Sequence, residues 1–484
     1  MFKLTPLKLA IRSALLIGIT GMTLALSSWT PQDNAEADAK ELLERAEEKA
    51  GKGSYDQALS TYRKIAKKYP GTKAGATAAR RTEPNALLGW SDILRSGPSE
   101  NRADVIVMGD GYVLKNLKSS FDTRSEDILD AFERDTVLNE YLPYFNIIRA
   151  GVVSADSGID AYDRVYDTAL DAYLTTTKSI SYGAVKRERV LDYLSQLPVN
   201  DGIAIALIKS QSVGLPDESV ATVGGAKKDL IAVGHAIGHA FAGLGDEFTN
   251  PDGHPFTRGE RPNISLSETK VPWQHWIDAK APGIGIFKGA SGKLKDVWRP
   301  VASNCLMNEA KDFCAVCREA LVLKIYSLVD PIESVSPAPH SVGSDESIEG
   351  KFKSHSETRY EPITFEVTAM KPASHGLDCE WWVLPIHRAP KSSGSAKSHE
   401  ERAKAAALVP IDAKPEQTQT LNKNSTGKFV VDLNKLKPGR YRVICRVSDS
   451  AMPRGVRSPW VIKDDHGVLT SERGWWITVP EPGK

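Results

Sequence analysis

Between residues 229 and 248 the apolar and polar positions repeat with a helical period. Taking about 100° per residue from His235, Leu230, Val233, Ile237 and Phe241 fall between about 160° and 240°, while His239 falls at about 40°. The apolar stripe and the histidine pair therefore leave a helix on opposite sides, and Gly243 and Gly245 can end it and turn the chain. Asp104–Met108, Phe145–Val153 and Ile203–Lys209 are unbroken apolar runs of strand length. The stretches 119–137, 166–175 and 321–328 have helical spacing. Strands that alternate with helices predict an α/β unit with a mixed, largely parallel sheet, the histidine helix packed on it. After residue 350 the period becomes two: Ile363–Val367, Cys379–Leu384, Phe429–Leu433, Tyr441–Ser448 and Trp475–Val479 read as strands of an all-β sandwich.

Punctuation divides the chain further. Lys3, Lys8 and Arg12 precede the apolar run Ala14–Leu26, and Ala35-Glu36-Ala37 is a small-x-small site, so residues 1–37 read as a signal peptide. The run is short for a bilayer span, although an uncleaved anchor stays open as the alternative. Residues 38–84 form a helical pair broken at Gly51-Lys52-Gly53; Ala46, Tyr55, Ala58, Tyr62 and Pro70 resemble one tetratricopeptide unit, a partner-binding arm or a helical spacer. Thr82–Asn85 and Arg95–Pro98 punctuate a linker that includes the residues between them; 100–330 reads as the α/β domain, 331–350 as a Ser/Pro/Gly-rich linker, and 351–484 as the sandwich. Lys/Ser-rich residues 387–405 read as an exposed loop.

A net charge of +1 over 484 residues, with no basic stripe, argues against nucleic acid as a partner. Export permits disulfides, and five cysteines leave one over. Cys379-x-Trp381 with Cys445 resembles the Cys-Trp-Cys core of immunoglobulin-like sandwiches, so these two cysteines are assigned to a disulfide bridging two sheets. Cys305, Cys314 and Cys317 cluster near one another; one disulfide among them is preferred over a structural zinc site, for which no fourth ligand is evident.

The chemistry sits on the histidine helix. His235 and His239 share a face, and Asp246 or Glu247 arrives after the turn where a third ligand is needed: the layout of a zincin, with an open fourth position. His254 and His275 are the other candidates for that third place, in a Pro/Gly-rich stretch read as a wall of the cleft. The peptidase form of the motif is H-E-x-x-H, its glutamate the general base; here that position is Ala236, and a methyl accepts no proton. Trp273, beside His275, reads as a buried structural side chain rather than a ligand platform.

Several segments occur together in one order: Ala103–Tyr112, Tyr144-Phe145-Asn146, Asp156–Asp160, Asp167–Leu170, His235–Phe248, Trp298-Arg299-Pro300, Asn304–Met307 and Phe313–Ala320. In this set the chain resembles the M64 family of secreted bacterial metallopeptidases, the IgA-peptidase group. The resemblance implies a zincin-like (metzincin-like) central fold, zinc held by His235, His239 and Asp246, and a methionine turn at Met307 beneath the metal. The departure at Ala236 touches catalysis and not the fold.

The sequence therefore predicts an exported (periplasmic or extracellular) homologue of these peptidases that holds zinc, hydrolyses peptide bonds poorly or not at all, and binds a peptide or protein. One alternative is a working peptidase with Glu247 as substitute base; another is a metal-free scaffold between the helical arm and the sandwich.

Overall fold

The computed structural model describes residues 31–176, 181–199, 202–215, 219–225, 228–249, 259–308, 310–341, 344–353, 359–385, 417–421 and 426–481. The apolar run Ala14–Leu26, His254 and the 387–405 stretch lie outside them. Among the described residues no helix is long and apolar enough to cross a membrane.

Three helices open the described residues: α1 Pro31–Gly51, α2 Tyr55–Lys68 and α3 Lys73–Arg80. Ala35-Glu36-Ala37 falls in the first turns of α1. Ala39, Ala46, Ala50, Ala58, Tyr62 and Ile65 are buried among them. The next segment, Leu87–Leu94, expected within a linker, is strand β1. It is an edge strand whose alternate positions have a helix to cover, and α1 supplies the cover. A Cβ on Gly89 would lie 2.7 Å from Cβ of Ala50, so glycine is what lets helix and strand approach. Tyr62 donates from its hydroxyl to the carbonyl of Leu88 at 2.5 Å, and Tyr55 to Asp122 at 2.7 Å. Each buried ring contributes about 2–3 kcal/mol to this docking.

The central sheet adds β2 Ala103–Asp110, β3 Phe145–Val152, then, past the small strands β4 Tyr173–Thr176 and β5 Ser181–Ala184, β6 Gly202–Ile208, and, past β7 Val213–Gly214, β8 Val220–Gly224. Its order is β1-β3-β2-β6-β8, with β1 antiparallel and the other pairings parallel. Every residue of β2 is buried, as a parallel strand covered on both faces must be. Val105, Val107, Ile203, Ile205 and Val223 face one core; Ile106, Met108, Ala204, Ala206 and Val220 face the other. The short helix α4 Leu114–Asn116, then α5 Thr123–Arg134 and α6 Thr136–Glu140, follow β2, and α7 Arg187–Leu194 packs with the second core. The histidine helix α8 Leu230–Ala242 follows β8 and packs on β8, β6 and α5.

Residues 166–175 are not helical. Asp110 accepts the amide hydrogens of Leu170 at 2.5 Å and Ala172 at 3.2 Å, and Ser154 Oγ accepts those of Gly111 and Ala169. Those donors are unavailable to a helical ladder, so the chain turns and continues as β4. Gly111, at φ 75°, stands where a Cβ would meet the carbonyl oxygen of Gly158 at 2.4 Å. The segments 103–112, 154–160 and 167–172 are thus one interlocked corner.

The domain closes with α9 Gln274–Asp278, the hairpin β9 Phe287–Ala290 and β10 Lys293–Arg299, and α10 Ala315–Leu328. Among the described residues the last unit has two sheets: β11 Ile332–Ser336, β13 Ile363–Ala369 and β16 Thr426–Val431; and β12 Ile348–Glu349, β18 Thr470–Val479, β17 Gly439–Ser448, β14 Asp378–Pro385 and β15 Gln417–Leu421 in that order. Phe365 and Phe429 of the first meet Trp381 and Trp475 of the second in a shared core. The stretch 331–350, expected as a linker, contains β11, whose backbone pairs with β13. Its Ser/Pro-rich composition hid a strand that is exposed along much of one side.

Candidate metal centre

The helix that carries the site is fixed at both ends. Asp229 caps it, accepting the amide hydrogen of Ala232 at 3.1 Å. Gly243 ends it in the left-handed region at φ 63°, where glycine has no steric penalty. Val233, Ile237 and Phe241 are buried in the core, which fixes the two histidines on the other side of the helix. The turn after Gly243 then folds back over the histidines, burying His239 to 5% exposure.

Three side chains converge there. Nε2 of His235 and Nε2 of His239 lie 3.0 Å apart, and Oδ1 of Asp246 lies 3.1 and 3.2 Å from them. Each ring's other nitrogen is engaged: Nδ1 of His235 faces the carbonyl of Leu306 at 3.1 Å, and Nδ1 of His239 that of Leu244 at 2.7 Å. A carbonyl only accepts, so each Nδ1 donates and each Nε2 presents a lone pair inward. Two lone pairs and a carboxylate oxygen pointed at one another repel unless a cation or a proton lies between them. Oδ2 of Asp246 is buried without a partner, a further unsatisfied anionic atom. The spacing suits a tetrahedral zinc site, whose ligand-to-ligand edges are roughly 3.3 Å for bonds near 2.05 Å. The set therefore fits a borderline cation. Without one, burial opposes ionisation of Asp246 but the two imidazoles outweigh it, and its carboxyl is held below the usual range. Burial likewise opposes protonation of His235, and Asp246 overrides it, raising the imidazole.

Met307 is fully buried beneath this helix; a Cβ on Gly238 would meet its Sδ at 2.7 Å. The absence of a side chain at 238, between the two histidines in the chain, is what admits the thioether. Ala236 is half-buried and packs against the core, presenting only its methyl.

Glu247 does not belong to this trio, which corrects the reading of it as substitute base or third ligand. It is fully buried, and its Oε1 accepts the Asn263 amide at 3.0 Å and faces Sγ of Cys317 at 3.2 Å and Sγ of Cys314 at 3.7 Å. Asn263 also clamps both backbone groups of Gly245, at 2.8 Å each. Adjacent side chains leave the chain in different directions, so only one of 246 and 247 can reach the histidines. His275 is engaged elsewhere: its Nε2 lies 2.6 Å from Glu319, which also takes the indole N–H of Trp276 at 2.7 Å. Trp273 is fully buried and donates to the carbonyl of Gly285 at 2.8 Å.

Cys305, Cys314 and Cys317 are all free thiols, as are Cys379 and Cys445. The last two lie on neighbouring strands of one sheet, their sulfurs 3.6 Å apart, and so do not bridge two sheets. In the register Cys379 faces Val447 and Cys445 faces Trp381, a diagonal placement.

Some contributors carried no signal. The carbonyls of Leu244 and Leu306 orient the rings, as outer partners of metal-binding histidines do, and backbone atoms have no sequence signature. Asn263 sits in an aperiodic segment. Tyr182 of β5 is near enough to feel Asp246: burial first, then that charge, raises its phenol above the usual value.

No curated protein matches the chain. Among solved structures, the PmoD soluble domain from Methylocystis sp. ATCC 49242 (Rockwell) is similar over 30% of this chain and 82% of that one, at 9% identity and a TM-score of 0.14, a likeness too slight to argue from. Residues 91–283 match the model of the IgA peptidase M64 family. That segment contains the whole of the helix and turn bearing His235, His239 and Asp246, and it identifies an IgA peptidase M64 family domain within this chain.

Proposed function

We propose that this chain is an exported zinc-binding homologue of the M64 metallopeptidases, its peptide-bond hydrolysis lost or much reduced, whose site holds a peptide or protein. One observation carries the reading. Two imidazole nitrogens and one carboxylate oxygen converge within 3.2 Å, yet neither Ala236 nor Glu247 brings a proton acceptor to them. Zinc there would supply carbonyl polarisation and a water of lowered pKa. The chain's own part is to orient the two rings through Leu244 and Leu306, to supply the anionic oxygen of Asp246, and to bury the set. Among the described residues it brings no positioned proton shuttle to the trio, a device worth about 10²–10⁴-fold in rate. For Glu247 to serve, it would have to leave Asn263 and the cysteines.

The central domain is read as zincin-like, with Met307 as its methionine turn. Support comes from the helix packed on a mostly parallel sheet and from the thioether under Gly238. The two-sheet unit is read as immunoglobulin-like, on the shared core of Trp381, Trp475 and Phe365 and the division of strands between the sheets. The helices α1 to α3 are read as a tetratricopeptide-like arm that docks on β1 and can present its remaining face to a protein partner. Export rests on the basic and apolar leader in the sequence.

The test is metal content and peptide cleavage of the wild type, His235→Ala and Ala236→Glu. The reading expects zinc that depends on His235, little or no cleavage by the wild type, and cleavage raised by about 10²–10⁴-fold in Ala236→Glu. Ordinary wild-type turnover, unchanged by Ala236→Glu, would overturn it. No His235-dependent metal would leave a scaffold.

A further inference from the structure

We propose that Glu247, Cys305, Cys314 and Cys317 form a second metal site, a closed structural zinc site next to the histidine centre. This rests on atoms that the histidine site does not use. The four ligand atoms lie within 4.8 Å of one another, and all four residues are buried. Sγ of Cys305 and Sγ of Cys317 are 3.6 Å apart. That is far from the roughly 2.05 Å of a disulfide. It is close to the edge of a tetrahedral thiolate site, roughly 3.8 Å for bonds near 2.3 Å. A sulfur-to-oxygen edge in such a site is roughly 3.5 Å, and the two from Oε1 of Glu247 are 3.2 Å to Cys317 and 3.7 Å to Cys314. Oε2 of Glu247 is buried with no partner, an unsatisfied carboxylate oxygen in a pocket of thiols.

The surroundings suit thiolates. Cys314 is the N-cap of α10 and Cys317 lies in its first turn, where the helix dipole favours negative charge. The amide of Cys314 donates to Sγ of Cys305 at 3.5 Å, and Asn263 donates to Glu247. On binding, each thiol gives its proton to solvent and each sulfur its lone pair to the cation. Three sulfurs and one oxygen select a borderline-soft divalent ion of the zinc kind over calcium or magnesium. With four protein ligands and no open position, the role is structural. The site also fills the missing ligand of the cysteine cluster: the fourth donor is the residue after Asp246.

Cobalt(II) is titrated into the full-length protein, purified under reducing conditions and stripped with chelator. The expected result is two ions per chain, one with the intense near-ultraviolet thiolate-to-cobalt band of several sulfurs and one without it. In His235→Ala/His239→Ala the band persists and the count falls to one; in Cys314→Ser the band is lost. Glu247→Gln weakens the banded site by at least about tenfold, since even outer-shell losses cost about 10–100-fold. The wild type and the double-histidine variant decide the matter if Cys314→Ser fails to fold. Absence of the band in both, or a disulfide between any two of Cys305, Cys314 and Cys317 in the unreduced protein, would overturn the proposal. Loss of the histidine-dependent ion alone would count against the preceding functional reading and leave this one standing.

Discussion

Asp246 and Glu247 are consecutive, yet each belongs to a different cluster: Asp246 faces His235 and His239 at 3.1 and 3.2 Å, and Glu247 faces Asn263 and two cysteines. The same division recurs at 305–307. Cys305 joins the thiols, Leu306 offers its carbonyl to His235, and Met307 accepts the amide hydrogen of Glu247 at 2.8 Å. Two short segments thus serve both clusters, and disturbance of one reaches the other through at most two residues.

Filling the cysteine cluster should therefore tighten the histidine site. Cys305→Ser removes one thiolate while leaving every histidine contact in place. It should lower zinc affinity at the histidine site by about tenfold or more, the scale of outer-shell losses. Calorimetric zinc titration against the wild type measures this; equal affinity would show the two segments to be uncoupled.

Gly238 is the point at which helix and thioether meet. In Gly238→Ala the new methyl stands 2.7 Å from Sδ of Met307 and 3.1 Å from Cε1 of Phe313. Overpacking of this kind costs about 1–3 kcal/mol and tilts the histidine face. Thermal unfolding should fall accordingly and zinc binding should weaken. Adding Met307→Ala to Gly238→Ala should recover part of the loss, a non-additivity that a double-mutant cycle reads directly.

The histidine helix was legible in the sequence because its chemistry and its packing share one period. His235 and His239 are four apart, Val233, Ile237 and Phe241 fill the opposite side, and Gly243 supplies the left-handed end. The buried strands at 104–108, 145–153 and 203–209 were legible because parallel strands are apolar throughout. What escaped depends on partners distant in sequence. Asp110 unmakes a helix at 166–175 by taking the amides of Leu170 and Ala172. Asn263 decides which way Glu247 turns. The strand at 332–336 is exposed along one side, so its composition matched a linker. None of these has a local periodic signature.

Glu319 on α10 gathers four donors: the ring of His275, the indole of Trp276, and the amides of Ile462 and Lys463 at 2.9 and 3.2 Å. It ties the helix α9 and a loop of the last unit to the centre of the domain. Glu319→Ala leaves the buried indole of Trp276 unpaired and frees the partly buried donors of His275, Ile462 and Lys463, at a cost on the order of 3 kcal/mol. The denaturant midpoint should drop while zinc stoichiometry stays unchanged. An unchanged midpoint would mean that His275 and the 462–463 loop are held by other contacts.

His375 joins the sandwich to the central domain. Its ring lies between Glu140 and Asp449, 2.8 Å from each, and Asp449 also accepts the hydroxyls of Tyr141 at 2.8 Å and Tyr326 at 2.6 Å, with Tyr144 bonded to Tyr326. Burial opposes the imidazolium, but the two carboxylates outweigh it and push His375 up to about 9. Burial also opposes Glu140 and Asp449, and the bonds from His375 hold both below the usual carboxylate range. The tyrosines, pushed well up by burial, stay protonated throughout. A histidine whose folded value exceeds its unfolded value of about 6.5 contributes fully below that value and loses the contribution as pH rises through about 9. The carboxylates act oppositely, contributing above about 4 and losing that contribution in more acid solution. The contribution of this cluster to the unfolding temperature should thus be level between about pH 5 and 6.5 and decline toward about pH 9. His375→Gln should abolish the alkaline decline and, by stripping a buried pair of its cation, lower stability by about 3–5 kcal/mol near pH 6. A decline that survives in His375→Gln would assign it to another group.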